Sequence, residues 1–348
     1  MSAPLRVALI GCGRIAQITH LHTLEHLESV QLVGLADPDL QRRTEAADRV
    51  PYATPYADYR RLLDEPDVHA VVVAVPTGLH AQVAIDAFEA GKHVFLEKPL
   101  AATVADGARI ADAWRQAGTT GMIGYAFRHN PRYLEARALI EAGAIGAPVG
   151  GTSVFTSAPR ELPAWKQQVA TGGGVLLDLA SHHADLAAYL FGAPIEAVSA
   201  STATRRTEGD QATVQFQMAG GPLVQSFFSL TAAQDHRFIV YGEEGHLTID
   251  PWHRPHVDLV QTATRWTPAG RLRHMLRLAQ RLVYRSDFQS GFRGILQAFA
   301  EASLRGVPDP SPSIPDGLHS LQVVEAAMQS ATQDRTVAVE AMVPMVTT

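Results

Sequence analysis

The chain has 348 residues, of which 46% are hydrophobic and 18% charged, with a formal net charge of −6. This is the composition of a globular protein long enough for two cores, and the negative balance argues against a nucleic-acid partner. No apolar run reaches the ~18 residues of a spanning helix, so no membrane partner is expected, and the single cysteine, Cys12, excludes an intrachain disulfide and fits a reducing, cytoplasmic setting.

In chain order, Leu5–Ile10 reads as a strand, Ile15–Leu27 as a helix and Gln31–Ala36 as a strand. Leu40–Arg49 and Tyr59–Leu63 follow as helices, then the strand Ala70–Val75 and the helix His80–Ala90. The strand His93–Leu96, the helix Val104–Ala117 and the strand Thr120–Gly124 complete the alternation. Strands alternating with helices predict a doubly wound parallel sheet, a Rossmann domain over residues 1–124.

The pattern changes at Tyr125. A helix is expected over Pro131–Ala142, a strand over Gly151–Thr156 and a helix over Val175–Phe191. Six strand-like runs then succeed one another: Ala197–Thr204, Ala212–Met218, Leu223–Leu230, Phe238–Tyr241, His246–Asp250 and Val257–Thr262. Two helices, Phe292–Leu304 and Pro315–Gln333, precede a last short strand, Val337–Glu340. Consecutive strands predict an α+β domain over residues 125–348, with a largely antiparallel, open sheet.

The first strand runs into Gly11-Cys-Gly13-Arg14-Ile15-Ala16, and Asp37 ends the next strand. This is the dinucleotide-binding order: a glycine turn, backbone approach to a pyrophosphate, a helix N-terminus facing it, and an acid for the ribose hydroxyls. Asp37 favours NAD, because its charge repels a 2′-phosphate; Arg42 and Arg43 nearby pull toward NADP. Cys12 reads as a small residue filling a crowded turn.

Four further groups accompany this fingerprint: Val75-Pro76-Thr77-x-x-His80, Glu97-Lys98-Pro99, Gly172-Gly-Gly174-x-Leu176-x-Asp178-x-x-x-His182, and Asp316-Gly317-Leu318 with Glu325-Ala326. With them the chain resembles, over nearly its full length, the glucose–fructose oxidoreductase / inositol dehydrogenase (Gfo/Idh/MocA) family. The resemblance implies an NAD-dependent oxidoreductase acting on a sugar, inositol or related polyol, and a homo-oligomer, dimer or tetramer, built on the open sheet face. It implies cofactor contacts from Gly11, Gly13, Arg14, Ile15, Asp37, Pro76, Thr77, His80, Glu97 and Lys98. It also implies a cis bond before Pro99, His182 as the acid/base, Asp178 in support, and Lys98 polarising the reacting oxygen. Relatives that hydrolyse glycosides through transient oxidation, and a non-catalytic NAD-binding regulator, are the alternatives.

The residues themselves bear on these roles. An ammonium such as that of Lys98 stabilises developing alkoxide charge; a solvated surface lysine is the lesser reading, made weaker by the strand end and the proline that follows. An imidazole with an ordinary pKa of ~6.5 suits proton transfer, and residues four apart such as Asp178 and His182 share a helix face. They lack a third ligand signature, so no metal is expected. His80 opens a helix, where capping or packing competes with cofactor contact. Ala126 stands where the family often has Asn, which leaves Arg128 and Trp165-Lys166 as substrate-pocket candidates, with packing the other reading of Trp165. Arg271, Arg273, Arg277, Arg281 and Arg285 lie at helical spacing. Such a segment reads either as a solvated face or as attraction for an anionic substrate.

Overall fold

A computed structural model describes residues 3–261 and 289–340, the side chains of residues 165 and 171 excepted. The basic segment 271–285 lies outside the described residues. The chain forms two compact units, residues 1–129 with 289–321, and residues 130–288 with 322–348.

The first unit carries six strands: β1 (Leu5–Ile10), β2 (Val30–Ala36), β3 (Thr54–Tyr56), β4 (Ala70–Val73), β5 (His93–Leu96) and β6 (Gly121–Ile123). They pair in the order β3-β2-β1-β4-β5-β6, every pair parallel. The chain leaves β1 toward β2 on one side and later places β4 on the other. The crevice of an open α/β sheet lies at such a switch, beyond the carboxyl ends of the strands. All four residues of β4 are buried, as a strand covered on both faces requires. The expected strands are all present; β3 is additional. Pro55 offers no N–H, so this run reads weakly as a strand, and it occupies the sheet edge where proline is tolerated.

The helices of this unit include α1 (Leu21–Glu25), α2 (Leu40–Arg49), α3 (Tyr59–Leu63), α4 (His80–Glu89) and α5 (Val104–Ala117). Side-chain caps set three starts: Asp39 accepts from the Arg42 N–H, Asp58 from the Arg60 N–H and Thr103 from the Asp106 N–H. The single helix expected over Ile15–Leu27 is instead a π-helical turn, Ala16–His20, running into α1. A π turn holds one residue more than an α turn, which a 3.6-residue pattern does not reveal.

The second unit contains α6 (Pro131–Glu141), α7 (Ser181–Phe191) and a second π turn, Leu176–Ala180, at the head of α7. Its strands are β7 (Pro148–Thr156), β8 (Ile195–Ala203), β9 (Gln211–Met218), β10 (Leu223–Ser229), β11 (Asp235–Gly242), β12 (Gly245–Ile249), β13 (Asp258–Gln261) and β14 (Val337–Ala338). They form one sheet in the order β13-β12-β11-β7-β10-β9-β8-β14. Every pair is antiparallel except β7–β10. Ala212, Val214, Phe216 and Met218 of β9 are buried while the residues between them are more exposed, so one face of the sheet is covered. α7 packs on β7, β8 and β9. The other face presents Leu223 and Phe227.

The last helices are α8 (Gln289–Arg305) and α9 (Ile314–Gln333). Ile295, Leu296, Phe299 and Ala300 of α8 are buried in one apolar core with Leu9, Val72 and Phe95. Residues 289–321 therefore belong to the first unit, which differs from a division of the chain at 124/125. An amphipathic helix announces its apolar stripe in sequence but not the core that receives it. No helix among the described residues is long and apolar enough to cross a membrane.

Candidate active site

The glycine turn begins where β1 ends. Gly11 has φ +96°, and a Cβ there would lie 2.5 Å from the Ala74 carbonyl oxygen, so only glycine fits between β1 and the chain leaving β4. A Cβ on Gly13 would meet nothing within 4 Å. That open approach to bare backbone is what a pyrophosphate requires, and the turn fits NAD. Arg14 is exposed and Ile15 half-buried beside it.

Asp37 is 5% exposed. Its Oδ2 accepts from the Cys12 N–H at 2.8 Å and its Oδ1 from the Asp39 N–H at 2.9 Å. The acid thus braces the glycine turn, and each oxygen retains a lone pair for a ribose hydroxyl. Arg43 Nη1 donates to the Asp37 carbonyl oxygen at 2.6 Å, and Arg42 lies 3.7 Å from Asp39, so both arginines have acidic or carbonyl partners within their own loop. Burial, and then the Asp37 charge, push the Cys12 thiol up to about 12, which keeps it protonated and unreactive.

Two loops follow β4 and β5. Thr77 is buried and Pro76 exposed in the first; the second carries the Lys98-Pro99 bond, which is cis as the resemblance implied. His80 is buried, with Nδ1 2.8 Å from the Pro99 carbonyl oxygen and Nε2 3.0 Å from that of Val75. Burial holds its pKa below the ordinary imidazole value, against those two carbonyls and the Glu97 charge, which favour the cation. Its ring ties the two loops together from beneath. The Glu97 carboxylate is buried as well: Oε1 lies 2.8 Å from His20 Nε2, and Oε2 accepts from the Lys98 N–H at 3.2 Å. Burial alone would raise the Glu97 pKa; His20, by hydrogen bond and charge, and Lys98 outweigh it, and the pKa is lowered. Lys98 itself is half-buried.

Arg128 follows β6 in a 3₁₀ turn, Ala126–His129. Its guanidinium is buried, with Nη1 donating to Asp316 Oδ2 and to Ser311 Oγ, both at 2.9 Å. Asp316 stands in the first turn of α9 and also accepts from the Ser313 N–H. The acid of the Asp316-Gly317-Leu318 motif thus anchors Arg128, which the sequence had put forward for substrate.

In the second unit, a Cβ on Gly173 would lie 2.3 Å from the Lys166 carbonyl oxygen, and the Gly173 N–H donates to Gln168 at 2.9 Å. The loop backbone at 166–168 therefore lies directly on the glycine triplet. That approach sets Lys166 Nζ 2.9 Å from Asp178 Oδ1, an ion pair whose side chains are 25% and 12% exposed. Asp178 sits in the second π turn and His182 in the first turn of α7; both are half-buried. The His182 ring lies 5.9 Å from that of Phe155. His183, by contrast, is fully buried with Nδ1 2.7 Å from Ser153 Oγ, and burial pushes its pKa down to about 3. It is a neutral part of the core. The Trp165 side chain lies outside the described residues.

Sequence reasoning missed His20, the Lys166–Asp178 pair and the Arg128–Asp316 pair. Only the charge complementarity of motif residues could have hinted at the last. Among the described residues no group of three His, Cys, Asp or Glu side chains could hold a metal.

Comparison with known proteins agrees with this geometry. The family model described as "Oxidoreductase family, NAD-binding Rossmann fold" matches residues 5–125, and its partner, "C-terminal alpha/beta domain", matches residues 137–339. A dTDP-3,4-didehydro-2,6-dideoxy-alpha-D-glucose 3-reductase of Streptomyces violaceoruber is 31% identical over 72% of this chain and 74% of its own. The scyllo-inositol 2-dehydrogenase (NAD(+)) of Bacillus subtilis (strain 168) is 27% identical over 75% and 78%. The solved structure of a levoglucosan dehydrogenase in complex with NADH and levoglucosan superposes with a TM-score of 0.82 at 25% identity, covering 97% of this chain and 100% of that one. With a glycine turn shaped for NAD and both family models matched, the chain belongs to the Gfo/Idh/MocA family of NAD-dependent sugar and polyol oxidoreductases.

Proposed function

We propose that this protein interconverts a hydroxyl and a carbonyl on a sugar, inositol or related polyol, with Lys98, His182 and Asp178 as its working groups. Bound NAD supplies the hydride acceptor or donor. In the oxidation direction, neutral His182 takes the hydroxyl proton as the carbon gives up hydride, and the Lys98 ammonium hydrogen-bonds the oxygen as charge develops on it. Asp178 orients His182 or the substrate hydroxyls. Gly11, Gly13, Arg14, Ile15, Asp37, Pro76 and Thr77 hold the cofactor, while His80 and Glu97 serve it through the loops they brace. The observation that carries this reading is the pairing of Asp178 with Lys166 on the helix that presents His182. The half-buried carboxylate is held by the Lys166 ammonium, which fixes it for action on its neighbours. The outward face of the eight-stranded sheet is the proposed surface of a homo-oligomer.

A panel of levoglucosan, inositols, sugars, sugar acids and nucleotide sugars, followed by NADH absorbance, tests the reading. On the best compound, Lys98→Met and His182→Ala should each lower kcat by at least about a hundredfold, since acid–base and electrostatic assistance are typically worth ~10²–10⁴. NADH affinity should be nearly unchanged. A His182→Ala enzyme with normal kcat would remove His182 from the mechanism.

A further inference from the structure

We propose that His20 is a positioning residue for Lys98, acting through the Glu97 carboxylate and tying the glycine turn to that lysine. His20 is the last residue of the π turn that follows Gly11–Ala16, and it is fully buried. Its Nε2 lies 2.8 Å from Glu97 Oε1, and the opposite oxygen of the same carboxylate accepts from the Lys98 N–H. The backbone nitrogen of Lys98 is thus oriented by a carboxylate that His20 holds in place.

The ring has little freedom. It meets Phe95 of β5 and Phe292 of α8 edge-on, with centroids 6.0 Å away in both cases. Its Nδ1 is buried and has no hydrogen-bond partner among the described residues. The carboxylate that Nε2 faces can only accept, so Nε2 carries a proton and points it at Glu97. On the far side of Lys98 the Pro99 carbonyl is held by His80. The lysine therefore stands between two points fixed by buried imidazoles. Such bracing matters because an error of about 1 Å in the placement of a reacting group can cost ~10² in rate.

This inference rests on the reading of Lys98 as a group beside the bound nicotinamide. Its test reads Lys98 directly: the full-length protein is treated with acetic anhydride, with and without NADH, and acetylation of Lys98 is followed by peptide mass spectrometry. NADH at ten times its Kd leaves about a tenth of the enzyme free, so labelling in the wild type should slow about tenfold. In His20→Leu that protection should be lost while NADH affinity, measured by fluorescence, is little changed. His20→Gln, whose amide nitrogen can still donate to Glu97, should keep it. If His20→Leu is too unstable to purify, His20→Asn, too short to reach the carboxylate, should lose protection in its place. Full protection in a variant that has lost the donor, whatever its melting temperature, overturns the proposal. Absence of NADH protection in the wild type overturns the reading of Lys98 and this inference with it, whereas protection that ignores His20 overturns the inference alone.

Discussion

The two units hold their candidate site residues in different ways. In the first, most of the candidate groups meet main chain: Asp37 accepts from the Cys12 and Asp39 N–H groups, the His80 ring lies between two carbonyl oxygens, and Glu97 accepts from the Lys98 N–H with the His20 ring on its other oxygen. In the second, a side chain holds a side chain, Lys166 on Asp178, and the close backbone approach at Gly173 delivers Lys166. A dinucleotide presents the same phosphates and ribose to every protein that binds it, so rigid backbone geometry suits its site. A substrate differs from relative to relative, and side-chain pairs can be exchanged without disturbing a strand end.

Three substitutions press on this contrast. Phe299→Ala should be the most damaging, at about 3–5 kcal/mol, because it opens a cavity in the core shared by α8 and the parallel sheet. Chemical denaturation should show the loss together with weaker NADH binding. Normal NADH affinity with a destabilised second unit would mean that α8 serves the other core. Lys166→Met should be milder. The pair is partly exposed, worth roughly 1–2 kcal/mol, so kcat on the best panel compound should fall about tenfold with Kd for NADH unmoved. A variant that changes NADH binding instead would break the division of labour between the units.

At neutral pH the smallest effect belongs to His183. Its folded-state pKa, about 3, lies below that of an unfolded histidine, so the unfolded chain binds the extra proton. Stability is therefore fully present above about pH 6.5 and falls as pH drops toward 3, by at most ~1.4 kcal/mol per pH unit. His183→Asn retains a donor or acceptor for Ser153 and cannot titrate, so the slope of urea midpoint against pH should flatten by that amount. An unchanged slope would place the acid sensitivity elsewhere.

Much of the scaffold was legible because its signals are local. Short, β-branched apolar runs such as Ala-Val-Val-Val at 70–73 read as strands covered on both sides, and Gly11 and Gly118 mark turns that other residues resist. The site was legible as motifs but not as partnerships. His20 and Glu97 lie 77 residues apart, and Arg128 and Asp316 are separated by 188, with no periodicity to connect them. Both π turns escaped for a related reason: one extra residue in a helix leaves composition untouched and alters only which side chains share a face.

Cys12 has a practical consequence. The chain's one sulfhydryl is walled into the turn and held in its protonated form. The native protein therefore offers no competing nucleophile to maleimide chemistry. A cysteine introduced at an exposed loop position, such as Ala57 between β3 and α3, becomes a unique attachment point for a fluorophore or spin label. Movement of either unit on cofactor addition can then be followed in the folded protein with no native residue removed.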